Sequence, residues 1–334
     1  SQATALKVLV IASGGGHTGH AVALAERLVE LGAQVDFVVP RGDGWSEGQV
    51  SALGRVVART PKFLDPGEGP WLGVLRAPSA LLRALAEVPG GYDVAVASGS
   101  SHSIAAGAAA RLKGASLVTL EATERFLEPS RAVKVLSPIS RLVALQWEEQ
   151  RAFSRRGVVV GPLLGKVHYR VRDEGYVLVT AGSYGYRRLF DAAASSALRG
   201  RLVIQTGRVD PGPYRGAGVK AFSFDPNLED LIAGASAVVT HFGRTAVEAA
   251  CKYGKPTVLA PNTEWVWMRD PKRMREAEMM AKRIGAVLLP PEEVTPDGVE
   301  RAVEEAINRP PASCEDGSIR LAQIITSWAN EGRA

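Results

Sequence analysis

Short, nearly continuous apolar runs alternate with amphipathic stretches along almost the whole chain. In the first half, "KVLVIA" (7–12), "QVDFVV" (34–39), "DVAVAS" (93–98), "SLVTLE" (116–121), "LVALQ" (142–146) and "GVVVG" (157–161) are short and rich in Val, Ile and Leu. Runs without polar alternation predict strands covered on both faces. Between them, "GHAVALAERLVELG" (19–32) and "SIAAGAAARLKG" (103–114) carry helical spacing. In the second half, "YVLVTA" (176–181), "RLVIQTG" (201–207), "VKAFSF" (219–224), "SAVVTH" (236–241), "PTVLAP" (256–261) and "AVLLP" (286–290) predict strands. Helices are expected near 186–198, 227–234, 245–253, 272–284, 296–308 and 317–330. Strand–helix alternation means parallel sheets and right-handed crossovers.

The stretch "GPLLGKVHYRVRDEG" (161–175) has neither period and reads as a linker. The expected fold is therefore α/β, with two Rossmann-like domains at 1–164 and 165–315 facing across a cleft, and a last helix at 316–331 packing back on the first. In open α/β sheets ligands sit beyond the carboxyl ends of the strands. The turns after the strands are where chemistry is expected.

One segment breaks the rhythm. "PWLGVLRAPSALLRALAEVPGG" (70–91) shows apolar faces built from Trp71, Leu72, Val74, Leu75, Leu81, Leu82 and Leu85, with Arg76 and Arg83 among them. A core-packing helix fits this pattern. So does a helix lying on a bilayer, with Trp at the boundary and Arg at the headgroups.

Composition narrows the choices. The 334 residues suit two domains. Forty Lys and Arg against 35 Asp and Glu leave a formal charge of +5, which serves solubility or attraction to anionic ligands and anionic bilayers. No basic–aromatic run points to nucleic acid. No apolar run reaches the roughly 18 residues of a spanning helix, and no basic–apolar leader opens the chain. The two cysteines, Cys251 and Cys314, give neither a disulfide framework nor a zinc pattern, and fit a reducing compartment.

Four turns carry candidate chemistry. "SGGGHTGH" (13–20) links a strand to a helix, so its glycines clear room and the helix offers free N–H groups. Its spacing is not that of a dinucleotide site, and the acidic residue expected after the second strand is missing from "FVVPRGD". His17 is a candidate general base or a solvated neighbour of the helix start. In "VVTHFGRTAVEAACKYGKPTVLAPN" (238–262), Gly243, Arg244 and Thr245 open a helix whose N–H groups suit a diphosphate. Glu248, one turn in, can accept the hydroxyls of a ribose, and His241 ends the strand beside them. "VTAGSYGYRRLF" (179–190) places Gly182 and Ser183 in a further glycine loop, and "IQTGR" (204–208) places Gln205, Gly207 and Arg208 at a strand end.

These pieces resemble a known family. The first half, through "SGGGHTGH", "GSSHSIAAGAAARLKG", "LEATERFLEPSRAVKVLSPISRLVALQWEEQ" and "VVVGPLL", is similar to the acceptor-binding, membrane-anchoring subunit of the enzyme that adds the second GlcNAc to dolichol-diphospho-GlcNAc. The second half, through "VLVTAGSYGYRRLF", "VIQTGR", "FDPNLEDLIAGASAVVTHFGRTAVEAACKYGKPTVLAPN" and "MAKRIGAVLL", is similar to its donor-binding subunit. The whole resembles a prokaryotic, archaeal-type fusion of the two, and more distantly the peptidoglycan lipid-I GlcNAc transferase. The resemblance implies a GT-B fold of glycosyltransferase family 28 type. It implies inverting transfer of a GlcNAc-type sugar from a UDP-sugar to a polyprenyl- or dolichyl-phosphate-linked acceptor, in N-glycan precursor or surface-polysaccharide assembly, without a metal, another cofactor or a separate subunit, by a cytoplasmic protein attached peripherally to the membrane.

On this reading His17 is the base, with Glu121, and beside it Glu124, as rivals. Gly15, Gly16, Thr18, Ser100, Ser101, His102 and Glu121 face the acceptor. Gly182, Ser183, Gln205, Gly207, Arg208, His241, Gly243, Arg244, Thr245, Glu248, Asn262 and Arg273 face the donor. Trp71, Leu72, Leu75, Arg76, Leu82 and Arg83 meet the membrane. Three departures stand out: the family's amino-terminal anchor helix is absent, Arg244 replaces a small residue, and "TEWVWMRDPKRMREAE" (263–278) replaces an Asn-His-Gln turn. The basic residues there, Arg269, Lys272, Arg273 and Arg275, raise the expectation of a carboxylated donor such as a GlcNAc-derived uronate. A UDP-GlcNAc 2-epimerase of the same architecture and a non-catalytic nucleotide-sugar binder are the alternatives.

Overall fold

The computed structural model describes residues 5–62, 70–310 and 312–331. The chain forms two compact units, one up to Lys166 and again from Glu315, the other Val167–Cys314.

In the first unit, strands β1 (Lys7–Ile11), β2 (Gln34–Pro40), β3 (Arg55–Thr60), β4 (Val94–Ala97), β5 (Ser116–Leu120), β6 (Leu142–Leu145) and β7 (Val158–Val159) form one sheet in the order β3-β2-β1-β4-β5-β6-β7. All its pairings are parallel. Helices α1 (Gly15–Glu30), α2 (Gly44–Val50), α3 (Pro70–Glu87), α4 (His102–Leu112) and α5 (Arg131–Leu136) make the crossovers. Val8 and Val10 feed one core and Leu9 and Ile11 the other, which is why this strand shows no polar alternation. β3 was not legible in the apolar pattern. It is an edge strand, and "RVVART" mixes arginines with valines because much of it faces solvent.

The second unit has strands β8 (Val177–Thr180), β9 (Leu202–Gln205), β10 (Lys220–Phe222), β11 (Ala237–Thr240), β12 (Thr257–Leu259) and β13 (Val287–Leu288), ordered β10-β9-β8-β11-β12-β13 and all parallel. Its helices are α6 (Arg187–Ala194), α7 (Gly212–Gly216), α8 (Leu228–Gly234), α9 (Arg244–Val247), α10 (Pro271–Ile284) and α11 (Pro296–Ile307). α9 continues as a π-turn over Glu248–Lys252. Each sheet reverses its strand order once, between β1 and β4 and between β8 and β11. Such a reversal opens a crevice at the strand ends. The glycine turns after β1 and β8 and the turns after β4 and β11 flank these two crevices.

After α11 the chain returns to the first unit as α12 (Gly317–Ser327), where Leu321, Ala322 and Ile325 pack in the core containing Leu24 and Leu28 of α1. Asp316 locks the return. One carboxylate oxygen accepts from Ser318 N at 2.9 Å and Leu164 N at 3.0 Å, and the other pairs with Arg27 at 3.1 Å. Position 317 admits only glycine, because a Cβ there would lie 2.0 Å from the carbonyl oxygen of Gly161.

The cysteines correct the sequence reading. Cys251 and Cys314 are bonded to each other, with Cα atoms 5.2 Å apart. The stretch after α11 passes over the helix that follows β11, a proximity that a separation of 63 positions does not reveal.

The fold also divides α3 between its two readings. Ala84 and Val88 are buried and Leu85 packs against the same core. Trp71 and Leu75 are 79% and 76% exposed, and Leu72, Val74 and Leu82 are exposed with them. Only the last turns of this helix are core. Among the described residues no helix is long and apolar enough to cross a membrane.

Candidate functional site

In the first unit the helix after the glycine turn begins at Gly15, four positions before the sequence reading placed it, so His17 lies in its first turn. Gly14 (φ 90°) and Gly15 (φ 51°) take backbone conformations that a side chain resists. Thr18, expected to face the acceptor, is buried instead. Its hydroxyl accepts from Gly14 N at 2.9 Å and shares a hydrogen bond at 2.8 Å with Ser46 Oγ, so it fixes the turn.

The histidines divide by what their rings touch. His102 is buried, with Nδ1 2.8 Å from Ser13 Oγ and Nε2 2.7 Å from Thr60 Oγ1. Both nitrogens are spent tying the ends of β1 and β3 together, which removes this side chain from the acceptor set. His17 is half-buried and its Nδ1 has no hydrogen bond among the described residues. Burial first, then the positive charges of Lys62 and Arg125, hold its pKa down to about 4 from 6.5. The ring is therefore neutral at neutral pH and able to take a proton.

Glu121 does not fit the role of base. It is fully buried, and its two oxygens accept from Ala122 N at 2.8 Å and Ser130 N at 3.0 Å. Burial raises its pKa against the pull of those N–H groups. Its carboxylate shapes the 121–130 loop. The "QWEEQ" segment completes that loop: Gln146 Nε2 donates to Glu121 O at 2.7 Å, Gln150 Nε2 to Ala122 O and Arg125 O at 2.8 Å each, and Trp147 Nε1 to Thr123 O at 2.8 Å. Ser100 and Ser101 are half-buried in the turn after β4. Sequence reasoning missed two neighbours. Ser98 Oγ after β4 and Thr123 Oγ1 after β5 are buried and lack a hydrogen-bond partner among the described residues. Orphaned hydroxyls at adjacent strand ends suit the polar groups of a sugar.

In the second unit the turns after β8 and β9 interlock. A Cβ on Gly207 would lie 2.6 Å from the carbonyl oxygens of Gly182 and Ser183, and one on Gly185 would lie 2.3 Å from Thr206 O. Arg208 N donates to Ser183 O at 2.9 Å. The His241 ring lies against two further glycine positions, 3.1 Å from a Cβ built on Gly182 and 2.8 Å from one built on Gly243. Burial lowers the His241 pKa to about 4, so the ring is neutral.

Three residues expected at the donor are used within the unit. Gln205 is buried; its Oε1 accepts from Asp225 N at 3.0 Å and its Nε2 faces Thr180 Oγ1 at 3.4 Å. Asn262 is buried; its Nδ2 donates to Gly185 O at 2.8 Å and its Oδ1 accepts from Glu264 N at 3.1 Å. Arg273 is buried in an ion pair with buried Glu276 and lies 5.0 Å from the Trp267 ring. Its charge is already met, which takes away one support for a carboxylated donor. Arg269, Lys272 and Arg275 lie outside the core of the unit. The missed feature here is an aromatic ladder. Tyr184 stacks on Trp265 at 5.4 Å, Trp265 meets Trp267 at 4.8 Å, Trp267 stacks on Phe242 at 6.4 Å, and Arg208 lies 5.1 Å from Tyr184. It ties the glycine loop after β8 to the loop after β12.

Gly243 is extended and leads into α9, where Thr245 is half-buried in the first turn. Arg244 Nε donates to Glu248 Oε1 at 2.7 Å, the pair being largely buried. Among the described residues, no group of three or more His, Cys, Asp or Glu side chains is placed to hold a metal.

Comparison with known proteins matches both halves. Residues 14–160 match the glycosyltransferase family 4 model, and residues 176–324 match the glycosyltransferase family 28 C-terminal domain. A UDP-N-acetylglucosamine–N-acetylmuramyl-(pentapeptide) pyrophosphoryl-undecaprenol N-acetylglucosamine transferase of Syntrophotalea carbinolica is 29% identical over 347 residues, covering 91% of each protein. An uncharacterised glycosyltransferase of Methanopyrus kandleri is 30% identical over 144 residues, 41% of this chain and 39% of that one. Among solved structures, Acinetobacter baumannii MurG superposes with a TM-score of 0.62 at 16% identity, over 98% of this chain and all of that one. The glycosyltransferase of kitacinnamycin gives 0.66 at 17%, over 97% and 99% of the two chains. The Neisseria meningitidis UDP-GlcNAc 2-epimerase gives 0.62 at 13%, over 97% and 100%.

Proposed function

Taking the chain as a family 28-like glycosyltransferase of GT-B fold, we propose that it moves a GlcNAc-type sugar from a UDP-sugar to a sugar carried on a polyprenyl phosphate or diphosphate. The acceptor class rests on the Syntrophotalea relative, whose name gives both its donor sugar and its pyrophosphoryl-lipid acceptor.

The observation that carries the reading is His17: a neutral, half-buried imidazole in the first turn of α1, at the strand-order reversal of the first sheet. The acceptor hydroxyl attacks the anomeric carbon of the donor sugar, and a C–O bond forms. The bond from that carbon to the β-phosphate oxygen breaks, UDP leaves with the electron pair, and the imidazole takes the hydroxyl proton. One displacement inverts the configuration. Ser98 and Thr123, with Ser100 and Ser101, are the polar contacts proposed for the acceptor sugar. The second unit holds UDP. Backbone N–H groups at the start of α9 stabilise charge on the departing diphosphate, Glu248 takes the ribose, and the neutral ring of His241 donates one hydrogen bond to phosphate. No metal is needed in this scheme, and turnover is expected to survive EDTA.

The exposed face of α3, with Trp71, Leu72, Leu75 and Leu82 beside Arg76 and Arg83, is the proposed membrane contact. On this reading the enzyme lies peripherally on the membrane, on the side where nucleotide sugars are made. N-glycan precursor assembly and surface-polysaccharide assembly both use such a product.

The test is incubation of the purified chain with radiolabelled UDP-GlcNAc and a short-chain prenyl-diphospho-GlcNAc, followed by extraction of labelled lipid. A parallel incubation with UDP-GlcNAc alone looks for UDP-ManNAc. Labelled lipid supports transfer. Appearance of UDP-ManNAc without acceptor would make the chain an epimerase, and binding without either product a nucleotide-sugar receptor.

A further inference from the structure

Arg244 opens α9, and its side chain makes a bond that a small residue could not. Its Nε–H binds Glu248 Oε1 at 2.7 Å across one helical turn. Arg244 is 6% exposed and Glu248 16%. The bond engages one carboxylate oxygen, Oε1, and the side chain keeps a small exposed fraction. So the carboxylate is pinned through one oxygen and still reaches the surface.

We propose that Arg244 is a positioning residue: it orients Glu248, so that recognition of the donor's ribose hydroxyls depends on residue 244. The inference rests on the donor reading above.

The physical case has two parts. A long carboxylate side chain that is free to rotate loses rotamer entropy when it binds a hydroxyl; one already fixed by an arginine has lost that freedom before ligand arrives. Burial also opposes ionisation of Glu248, and raises its pKa. The charges that act on it are Arg244 and Lys252 of its own helix, which favour the anion, and Glu229 of α8, which opposes it. Lys252 is partly committed, since its Nζ pairs with Glu229 at 2.7 Å. Arg244 is the cation bonded directly to the carboxylate. An ionised carboxylate accepts from two hydroxyls, whereas a protonated one spends an oxygen as a donor. Ribose binding is therefore present above the Glu248 pKa and lost as pH falls through it. Removing Arg244 raises that pKa, so the loss begins at higher pH.

The experiment compares UDP with 2′,3′-dideoxy-UDP by calorimetry across pH, because their affinity ratio cancels titration of the phosphates. Variants are Arg244→Met, which keeps the stem, Arg244→Lys, which keeps a cation, Glu248→Gln and the double variant, each checked by thermal melt. The wild type is expected to favour UDP about tenfold or more at neutral pH. Arg244→Met is expected to lose most of that ratio and to lose the remainder at higher pH than the wild type. Arg244→Lys is expected to lie between them, and it carries the comparison if Arg244→Met does not fold. In the Glu248→Gln background the Arg244 change is expected to leave the ratio unaltered. Equal weakening of UDP and its dideoxy form by the Arg244 variants would overturn the proposal, since Arg244 would then touch phosphate or uracil itself. A wild type that binds neither nucleotide would instead sink the donor reading.

Discussion

His17→Ala isolates the proposed base. The residue sits in the first turn of α1, half-buried, so its removal leaves the sheets and the Thr18–Ser46 contact in place. Burial and the nearby charges of Lys62 and Arg125 put the pKa of His17 at about 4. The proton-free form exists above that value and is lost as pH falls through it. At pH 5 an unperturbed histidine would be only about 3% neutral, whereas His17 would be about 90% neutral. The wild-type rate is therefore expected to stay level from pH 8 to about pH 5 and to fall below it. His17→Ala is expected to cost about 10² to 10⁴ in kcat, to leave UDP affinity unchanged, and to abolish the acid limb. Lys62→Ala removes one of the cations that lower the pKa and is expected to shift the limb to higher pH. The assay is steady-state transfer to a short-chain prenyl-diphospho-sugar over pH 4–8, with the variants run beside the wild type. Full activity of His17→Ala with an unchanged acid limb would refute the assignment.

Glu121→Gln separates structure from chemistry: losing one accepted backbone N–H is expected to cost about 1–3 kcal/mol of stability, seen as a lower Tm, while the acid limb stays where it is. Trp71→Asp and Leu75→Asp, both at exposed positions, are expected to leave the melt unchanged and weaken sedimentation with anionic-lipid vesicles by about tenfold or more; undiminished sedimentation would remove α3 from the membrane. The Cys251–Cys314 bond closes a 63-residue separation, so Cys251→Ser is expected to cost up to about 4 kcal/mol. Thiol titration of the unfolded, unreduced chain is expected to find no free cysteine, and two would contradict the bond.

Much of the fold was legible because buried parallel strands must be apolar on both faces. Runs such as "VLVIA" and "VLVT" carry that mark, and the GT-B neighbours agree with the two-sheet reading. β3 escaped because an edge strand has no such obligation. The glycine turns were legible as well, but not their purpose: Gly185 and Gly207 serve the contact between two turns as well as any approach by a ligand. Polar residues at strand ends proved ambiguous for a related reason. His102, Glu121, Gln205 and Asn262 sit where ligands bind in such sheets, yet hydroxyls and backbone groups of neighbouring segments claim their side chains. His17 is half-buried, and Glu248 keeps a small exposed fraction. Nothing in a single sequence distinguishes these cases, because the partners of His102 and Gln146 come from segments far along the chain. The aromatic ladder was hidden for the same reason, its four rings coming from three different turns.

The most direct test of a single displacement assisted by His17 is the configuration of the new glycosidic bond. Proton NMR of the lipid-linked product made from α-linked UDP-GlcNAc is predicted to show the large trans-diaxial anomeric coupling of a β-linked GlcNAc. A small coupling, from an α-linkage, would contradict the account.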